Sequence, residues 1–275
     1  MMRLNSLRFS TKVLSRLLFV SLFLSSCAFF KANKSQEESS NGIQTFFDLV
    51  DSSGSFVLER EAGLQKKENS FVVKRRVFVA DNPQKELEKS IAISETGHLK
   101  NKVKVFRPKV SQYSVWFEGK KFFTEMKVDV PGRSLLVKME SPEPQWNGEK
   151  RFPFPHGTGL FCFFSQVVEC AKTTGFFALA TKNDVGQLNF HIIWEGYPYF
   201  GEQYLNIPDE PITQAKLVYD GKNEDGERRF SLYFGEQVIF LLVDANENIS
   251  KMFWVSQGFQ MIRRAPNRAL KKVKK

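Results

Sequence analysis

The chain has 275 residues, of which 42% are hydrophobic and 25% are charged, and it contains 3 cysteines. That length allows one large or two small domains, and the composition excludes collagen, low-complexity disorder and a disulfide-dense scaffold. The net charge of +10 would ordinarily indicate nucleic acid or an anionic surface as a partner, so its location in the chain decides its meaning.

Nearly all of the net positive charge lies at the two ends of the chain. Residues 1–26 carry 4 basic and no acidic side chains, and residues 263–275 carry 7 basic and no acidic ones. The rest of the chain has 29 basic against 30 acidic side chains and is therefore close to neutral. No nucleic acid partner is expected from this distribution.

The basic amino terminus leads into an apolar run, Leu17–Leu24. This run is too short to cross a bilayer as a permanent helix and is typical of the central region of an export signal. Residues 24–27 have the sequence Leu-Ser-Ser-Cys, which resembles a bacterial lipobox. The resemblance implies that residues 1–26 are a lipoprotein signal peptide and that Cys27 is lipidated. The alternatives are an ordinary secretory signal with a coincidental cysteine, or a short uncleaved anchor.

The residues after Cys27 extend this interpretation. Ala28 stands where lipoproteins of this kind held in the inner membrane commonly have Asp, so the resemblance implies the outer membrane of a bacterial cell envelope, with the protein facing the periplasm. Residues 31–41 are polar and Ser-rich, so residues 27–41 are predicted to be the lipidated cysteine followed by a flexible tether. At the other end, residues 265–275 are predicted to form a disordered basic tail, either simply solvated or attracted to anionic lipid head groups.

Residues 42–264 are predicted to form a single β-rich domain. Its first element is predicted to be a short helix, because Ile43, Phe46, Phe47 and Val50 are spaced at i, i+3, i+4 and i+7. The pattern then changes to period two, as in residues 121–130, and similar alternation occurs in residues 188–194, 229–234 and 249–255.

Short turn sequences separate these segments and indicate hairpin connections. The predicted fold class is mainly β: a strongly curled antiparallel sheet or half-open barrel of about ten to twelve strands, with one or two helices packed on it.

Residues 157–171 differ from the rest because they are apolar nearly all round. They are predicted to form a buried helix that starts near residue 158, or a pair of core strands. Whether residues 157–171 form a helix or strands decides whether Cys162 and Cys170 can form a disulfide. On one helix the two cysteines would lie about 12 Å apart, too far for a disulfide. Otherwise a disulfide fits the oxidising compartment; buried free thiols, or a reactive or metal-binding thiol, are the other interpretations.

No sequence motif indicates catalysis or a metal or cofactor site. The chain lacks a nucleophile elbow, a zinc-protease HExxH, a phosphate-binding loop and a dinucleotide-binding glycine pattern. We therefore expect a protein that is not an enzyme and that needs no cofactor.

The 28 phenylalanines are the most unusual feature of the composition. They indicate either a large β core or a cavity that accommodates an acyl chain between a curled sheet and a helix. The candidate apolar ligand contacts are Phe161, Phe163, Phe164, Phe122 and Met126. Aromatic residues in 194–200 and Tyr204 could instead form a contact surface for glycan or protein.

The lipobox, the predicted curled sheet and its apolar filler together resemble the lipoprotein-localisation factors LolA and LolB. Residues 232–244 and 249–261, read as the last strands of the sheet, carry most of this resemblance. It implies a lipid-anchored envelope protein that binds a lipid or the acyl chain of a lipoprotein. The alternative is a structural lipoprotein with a solid core that docks on another envelope protein or on glycan.

Overall fold

The structure, a computed structural model, describes residues 42–51, 54–65, 68–99, 102–156 and 159–265. The predicted signal peptide, the predicted lipidation site Cys27, the predicted tether and residues 266–275 of the predicted tail lie outside the described residues.

A single large sheet dominates the described part of the chain and contains fifteen strands. Its order is β8-β7-β6-β5-β4-β3-β2-β1-β15-β14-β13-β12-β11-β10-β9, so almost every strand pairs with its neighbour in the sequence. The pairs are antiparallel except β9 and β10, which run parallel. The strand bounds are β1 (Ile43–Asp51), β2 (Gly54–Gln65), β3 (Ser70–Val79), β4 (Asn82–His98), β5 (Lys104–Phe117), β6 (Lys120–Asp129), β7 (Ser134–Glu140), β8 (Gly148–Pro153), β9 (Phe161–Phe163), β10 (Gln187–Ile193), β11 (Ile212–Lys222), β12 (Arg228–Phe234), β13 (Gln237–Val243), β14 (Ile249–Trp254) and β15 (Phe259–Arg263).

The mainly β class is confirmed, whereas the predicted strand number and strong curl are wrong. The sheet has fifteen strands rather than ten to twelve, and it is open, because β8 and β9 stand at its two ends without pairing to each other. The strongly curled half-barrel is thus replaced by one long open sheet. At one end, β8 presents the exposed charged residues Glu149, Lys150 and Arg151, which discourage further strand pairing.

The first element is a strand and not the predicted helix. β1 pairs with β2 along its whole length, and its other side pairs with β15. Phe47 and Leu49 are buried while Val50 is exposed, so the side chains alternate as in a strand. Pairing on both sides satisfies the backbone of Phe47–Val50, and this tertiary environment overrides the helical spacing of the apolar residues.

The period-two segments are strands, as predicted. In β6, Phe122, Thr124 and Met126 are buried on one face, and Lys121 and Lys127 are exposed on the other. The segments at 188–194, 229–234 and 249–255 correspond to β10, β12 and β14. Local alternation of apolar and polar residues was therefore sufficient to identify these strands.

The predicted long helix at residues 157–171 is wrong in its first half. Phe161–Phe163 form β9, which pairs with His191–Ile193 of β10, and a single 3-10 turn follows before the helix begins at residue 167. The backbone hydrogen bonds of this short buried ladder replace those of a helix. The three α-helices of the described residues are α1 (Val167–Thr173), α2 (Phe176–Asn183) and α3 (Phe200–Gln203). None of these helices is long and apolar enough to cross a membrane.

Candidate functional site

A cavity of about 250 Å³ lies between the sheet and the segment 164–172. Its wall is formed by β1–β3 and β12–β15, and its roof by the 3-10 turn and α1. Most of the lining is apolar, as is usual for sites that bind small molecules. The apolar lining residues are Ile43, Phe47, Leu58, Ala62, Phe71, Phe164, Val167, Val168, Leu232, Ile239, Leu241, Ile249, Met252 and Met261.

Two arginines lie side by side in this cavity. Arg60 of β2 and Arg75 of β3 are direct cross-strand partners, and both line the cavity. On either side of them the register pairs Glu59 with Arg76 and Glu61 with Lys74, which are pairs of opposite charge. Like charges that are directly opposite each other destabilise a sheet. The repulsion between these two inward-facing guanidinium groups is offset by nearby carboxylates.

The positive charge of Arg60 is balanced by a carboxylate in the roof of the cavity. Its Nη2 lies 2.7 Å from Oε1 of Glu169 on α1 and also donates a hydrogen bond of 3.2 Å to the carbonyl oxygen of Ser165. Both charged side chains are largely shielded, with exposed fractions of 15% for Arg60 and 19% for Glu169. The other carboxylate oxygen of Glu169, Oε2, is buried and accepts no hydrogen bond from the described residues.

The positive charge of Arg75 is balanced by two carboxylates, those of Glu88 and Glu195. Its Nη2 lies 3.4 Å from Oε1 of Glu88, and it also lines a smaller cavity of about 40 Å³ together with Glu195. Burial alone would lower the pKa of Arg75, but the attraction of Glu88 and Glu195 raises its pKa overall, so the guanidinium stays charged. Burial raises the pKa of Glu195, and hydrogen bonds from Ser165 and the charge of Arg75 oppose that rise.

The roof of the cavity is tied down at several points. Cys162 of β9 and Cys170 of α1 form a disulfide, with 6.4 Å between their Cα atoms, and it encloses residues 163–169. Gln166 in this loop is fully buried, and its amide donates a hydrogen bond of 2.9 Å to the carbonyl oxygen of Ala92 in β4. Gln166 thus anchors this segment to the sheet.

The predicted ligand contacts do not lie together. Phe164 lines the cavity, and its ring packs 4.6 Å from Trp194. Phe161 lies in a different, wider cleft beside β5 and β6. The other three are packed inside the protein: Phe163 and Met126 belong to the main core, and Phe122 packs against aromatic rings that include Tyr199.

The aromatic loop after β10 is not the contact surface that its composition indicated. Trp194, Tyr197, Tyr199 and Phe200 are all buried, and the ring of the half-buried Tyr204 stacks on Trp254 at 5.0 Å. These rings complete the core beside the small cavity, so they are not available to glycan or to a protein partner. No cluster of three metal-ligating side chains occurs among the residues with described positions.

The charged residues of the site were not predicted from the sequence. Arg60 and Arg75 belong to the charged segments Glu59-Arg60-Glu61 and Lys74-Arg75-Arg76, which are typical of solvated strand faces. Only the register of β2 against β3 reveals that the two arginines share the inner face. A sequence signal did exist, since β2 and β3 would each place one charge among the apolar residues of that face.

Comparison with known proteins does not identify a family. No family model matches the chain, and no curated protein matches it in sequence. Among solved structures, one that resembles it is the crystal structure of a beta-barrel-like protein of a domain of unknown function, DUF1849, from Brucella abortus. The identity is 10%, the match covers 81% of this chain and 94% of the other, and the TM-score is 0.44.

Proposed function

We propose that the protein is a lipid-anchored lipoprotein of the bacterial cell envelope whose β domain binds an amphiphile, without catalysing a reaction. The observation that carries the proposal is the apolar cavity between the sheet and the roof segment 164–172. A cavity of this kind counts against the alternative of a structural lipoprotein with a solid core.

The size of the cavity favours a ligand with a single apolar chain. Its volume of about 250 Å³ is just below the roughly 300–1,000 Å³ of sites that enclose drug-sized molecules. Each buried methylene contributes about 0.8 kcal/mol to binding through the hydrophobic effect. One acyl chain can therefore supply most of the binding free energy, whereas two chains would exceed the space.

The anchor can be tested separately from the cavity. Replacing Cys27 with alanine should abolish labelling of the protein by a radioactive fatty acid and release the protein from the membrane fraction. Replacing both Cys162 and Cys170, which are already bonded to each other, should leave the labelling intact. Unchanged labelling of the Cys27→Ala protein would show that the lipobox interpretation is wrong.

Filling the cavity should prevent ligand binding. Ala62 lines the cavity and is half-buried on β2, so Ala62→Trp should place an indole ring in the space that the acyl chain needs. We expect lipid mass spectrometry of the purified full chain to detect a bound amphiphile, and to detect at least about tenfold less with Ala62→Trp.

The matched control for this change is Ala80→Trp, because Ala80 is exposed in the turn after β3 and is not one of the residues that line the cavity. Its lipid content should equal that of the unaltered protein. If no amphiphile accompanies the unaltered protein, the carrier function fails and docking on another envelope protein becomes the better explanation.

A further inference from the structure

The charges around the cavity indicate what the polar end of its ligand must be. This inference rests on the proposed function and concerns the chemistry of the ligand. Arg60 and Arg75 already have carboxylate partners in Glu169 and Glu88. An anionic head group would have to displace a carboxylate that is covalently part of the protein, and it would be repelled by the remaining acidic groups.

The other basic residues of the lining are also engaged. Nη2 of Arg263 lies 2.6 Å from Oδ2 of Asp244, and Nζ of Lys172 donates a hydrogen bond of 2.7 Å to the carbonyl oxygen of Asn246. Among the described lining residues, three of the four cations thus lie beside carboxylates, and the exposed Lys172 contacts a neutral carbonyl oxygen. One exposed ammonium group at the edge of the cavity is not the cluster of buried cations that would select a fatty acid anion or a phosphate.

The unpaired carboxylate oxygen Oε2 of Glu169 indicates which polar group the ligand should carry. Glu169 is one of the lining residues, and its Oε2 is shielded beneath the cavity surface and accepts no hydrogen bond from the residues that the structure describes. A buried carboxylate oxygen without a donor is energetically costly, so a ligand that brings a donor to this position is favoured. A second cation is disfavoured there, because the Arg60 guanidinium already lies 2.7 Å from the other oxygen of the same carboxylate.

We propose that the cavity selects a single-chain amphiphile whose polar end is uncharged and donates a hydroxyl hydrogen bond to Oε2 of Glu169. The apolar chain occupies the space lined by Phe47, Leu58 and Met261, and the hydroxyl lies beneath α1. Monoacylglycerols are ligands of this chemical class.

Four probes with the same chain length test this selectivity on the full chain carrying Cys27→Ser, which has no lipid anchor. They are 1-monodecanoylglycerol, methyl decanoate, decanoate and decylammonium, and their dissociation constants are measured by calorimetry. We expect 1-monodecanoylglycerol to bind at least about tenfold more tightly than methyl decanoate, since only the former donates a hydrogen bond to a charged acceptor. Decanoate and decylammonium should also bind more weakly than 1-monodecanoylglycerol.

Glu169→Gln should remove the preference. Arg60 donates a hydrogen bond to the Oε1 position, so the glutamine should keep its carbonyl oxygen there. Its NH₂ group would then take the place of Oε2 and would offer a donor instead of an acceptor. The glycerol and ester probes can both accept that hydrogen bond, so their affinities should become equal within about twofold. Glu202→Gln is the matched control, because Glu202 is an exposed carboxylate on α3 outside the cavity lining and its replacement should leave the preference unchanged.

The outcomes separate this inference from the proposed function. If none of the probes binds the unaltered cavity, the amphiphile-binding function itself fails. If methyl decanoate, decanoate or decylammonium binds as tightly as 1-monodecanoylglycerol, the function stands and the head-group inference is overturned. This comparison uses the unaltered cavity and so does not depend on the folding of the Glu169→Gln variant. Retention of the preference in Glu169→Gln would overturn it as well.

Discussion

Replacing Phe230 with alanine is expected to lower the free energy of unfolding by about 3–5 kcal/mol. Phe230 of β12 is fully buried, and its ring centre lies 4.7 Å from that of Phe177 on α2 and 5.2 Å from that of Tyr219 on β11. The substitution removes buried apolar surface from the core. It also leaves a cavity between the sheet and α2, because the surrounding side chains relax only in part. Urea unfolding followed by tryptophan fluorescence measures the loss.

Phe240→Ala provides the control for this prediction. Phe240 is on the neighbouring strand β13 but is 41% exposed, because it pairs with Ser231 rather than with Phe230. Its truncation should cost about 1 kcal/mol or less, since it removes little buried surface. Equal losses for the two variants would mean that Phe230 does not occupy the inner face of the sheet.

How much of this fold the sequence predicts depends on the range of the interactions involved. The alternation in β6 is local, since Phe122, Thr124 and Met126 face the core whatever strand lies beside them. The spacing of Phe46, Phe47 and Val50 fits a helix equally well, and only the pairing of β1 with two other strands decides between the states. One of those partners, β15, lies about 200 residues away in the chain, so local periodicity cannot detect it.

The candidate site depends on long-range contacts even more strongly. A cavity formed by the sheet was predicted, but among the expected contacts only Phe164 lines it, because aromatic composition does not distinguish a packed ring from a cavity wall. Arg60 and Glu169 are separated by more than 100 positions and meet only because α1 returns to the sheet above β2. The chemistry of the site is therefore a property of the topology, and no motif encodes it.

Replacing both Cys162 and Cys170 with alanine is expected to lower the free energy of unfolding by roughly 2–3 kcal/mol, the loop-closure entropy for a loop of this length. The disulfide joins β9 to α1 and encloses the turn that roofs the cavity, including the lining residues Phe164 and Glu169. Without the bond, this segment is held by noncovalent contacts, such as the hydrogen bond of Gln166 and the ion pair of Arg60 with Glu169, so the affinity for an amphiphile should fall together with the stability.

A reductant distinguishes the disulfide from the loss of two buried side chains. Dithiothreitol should lower the stability of the unaltered protein toward that of the double variant and should leave the double variant unchanged. A protein whose unfolding midpoint and amphiphile affinity are both insensitive to the reductant would show that the bond between Cys162 and Cys170 does not hold the roof in place. Since that roof also carries Glu169, its loosening should reduce the selectivity between hydroxyl and ester probes, as well as the affinity for each of them.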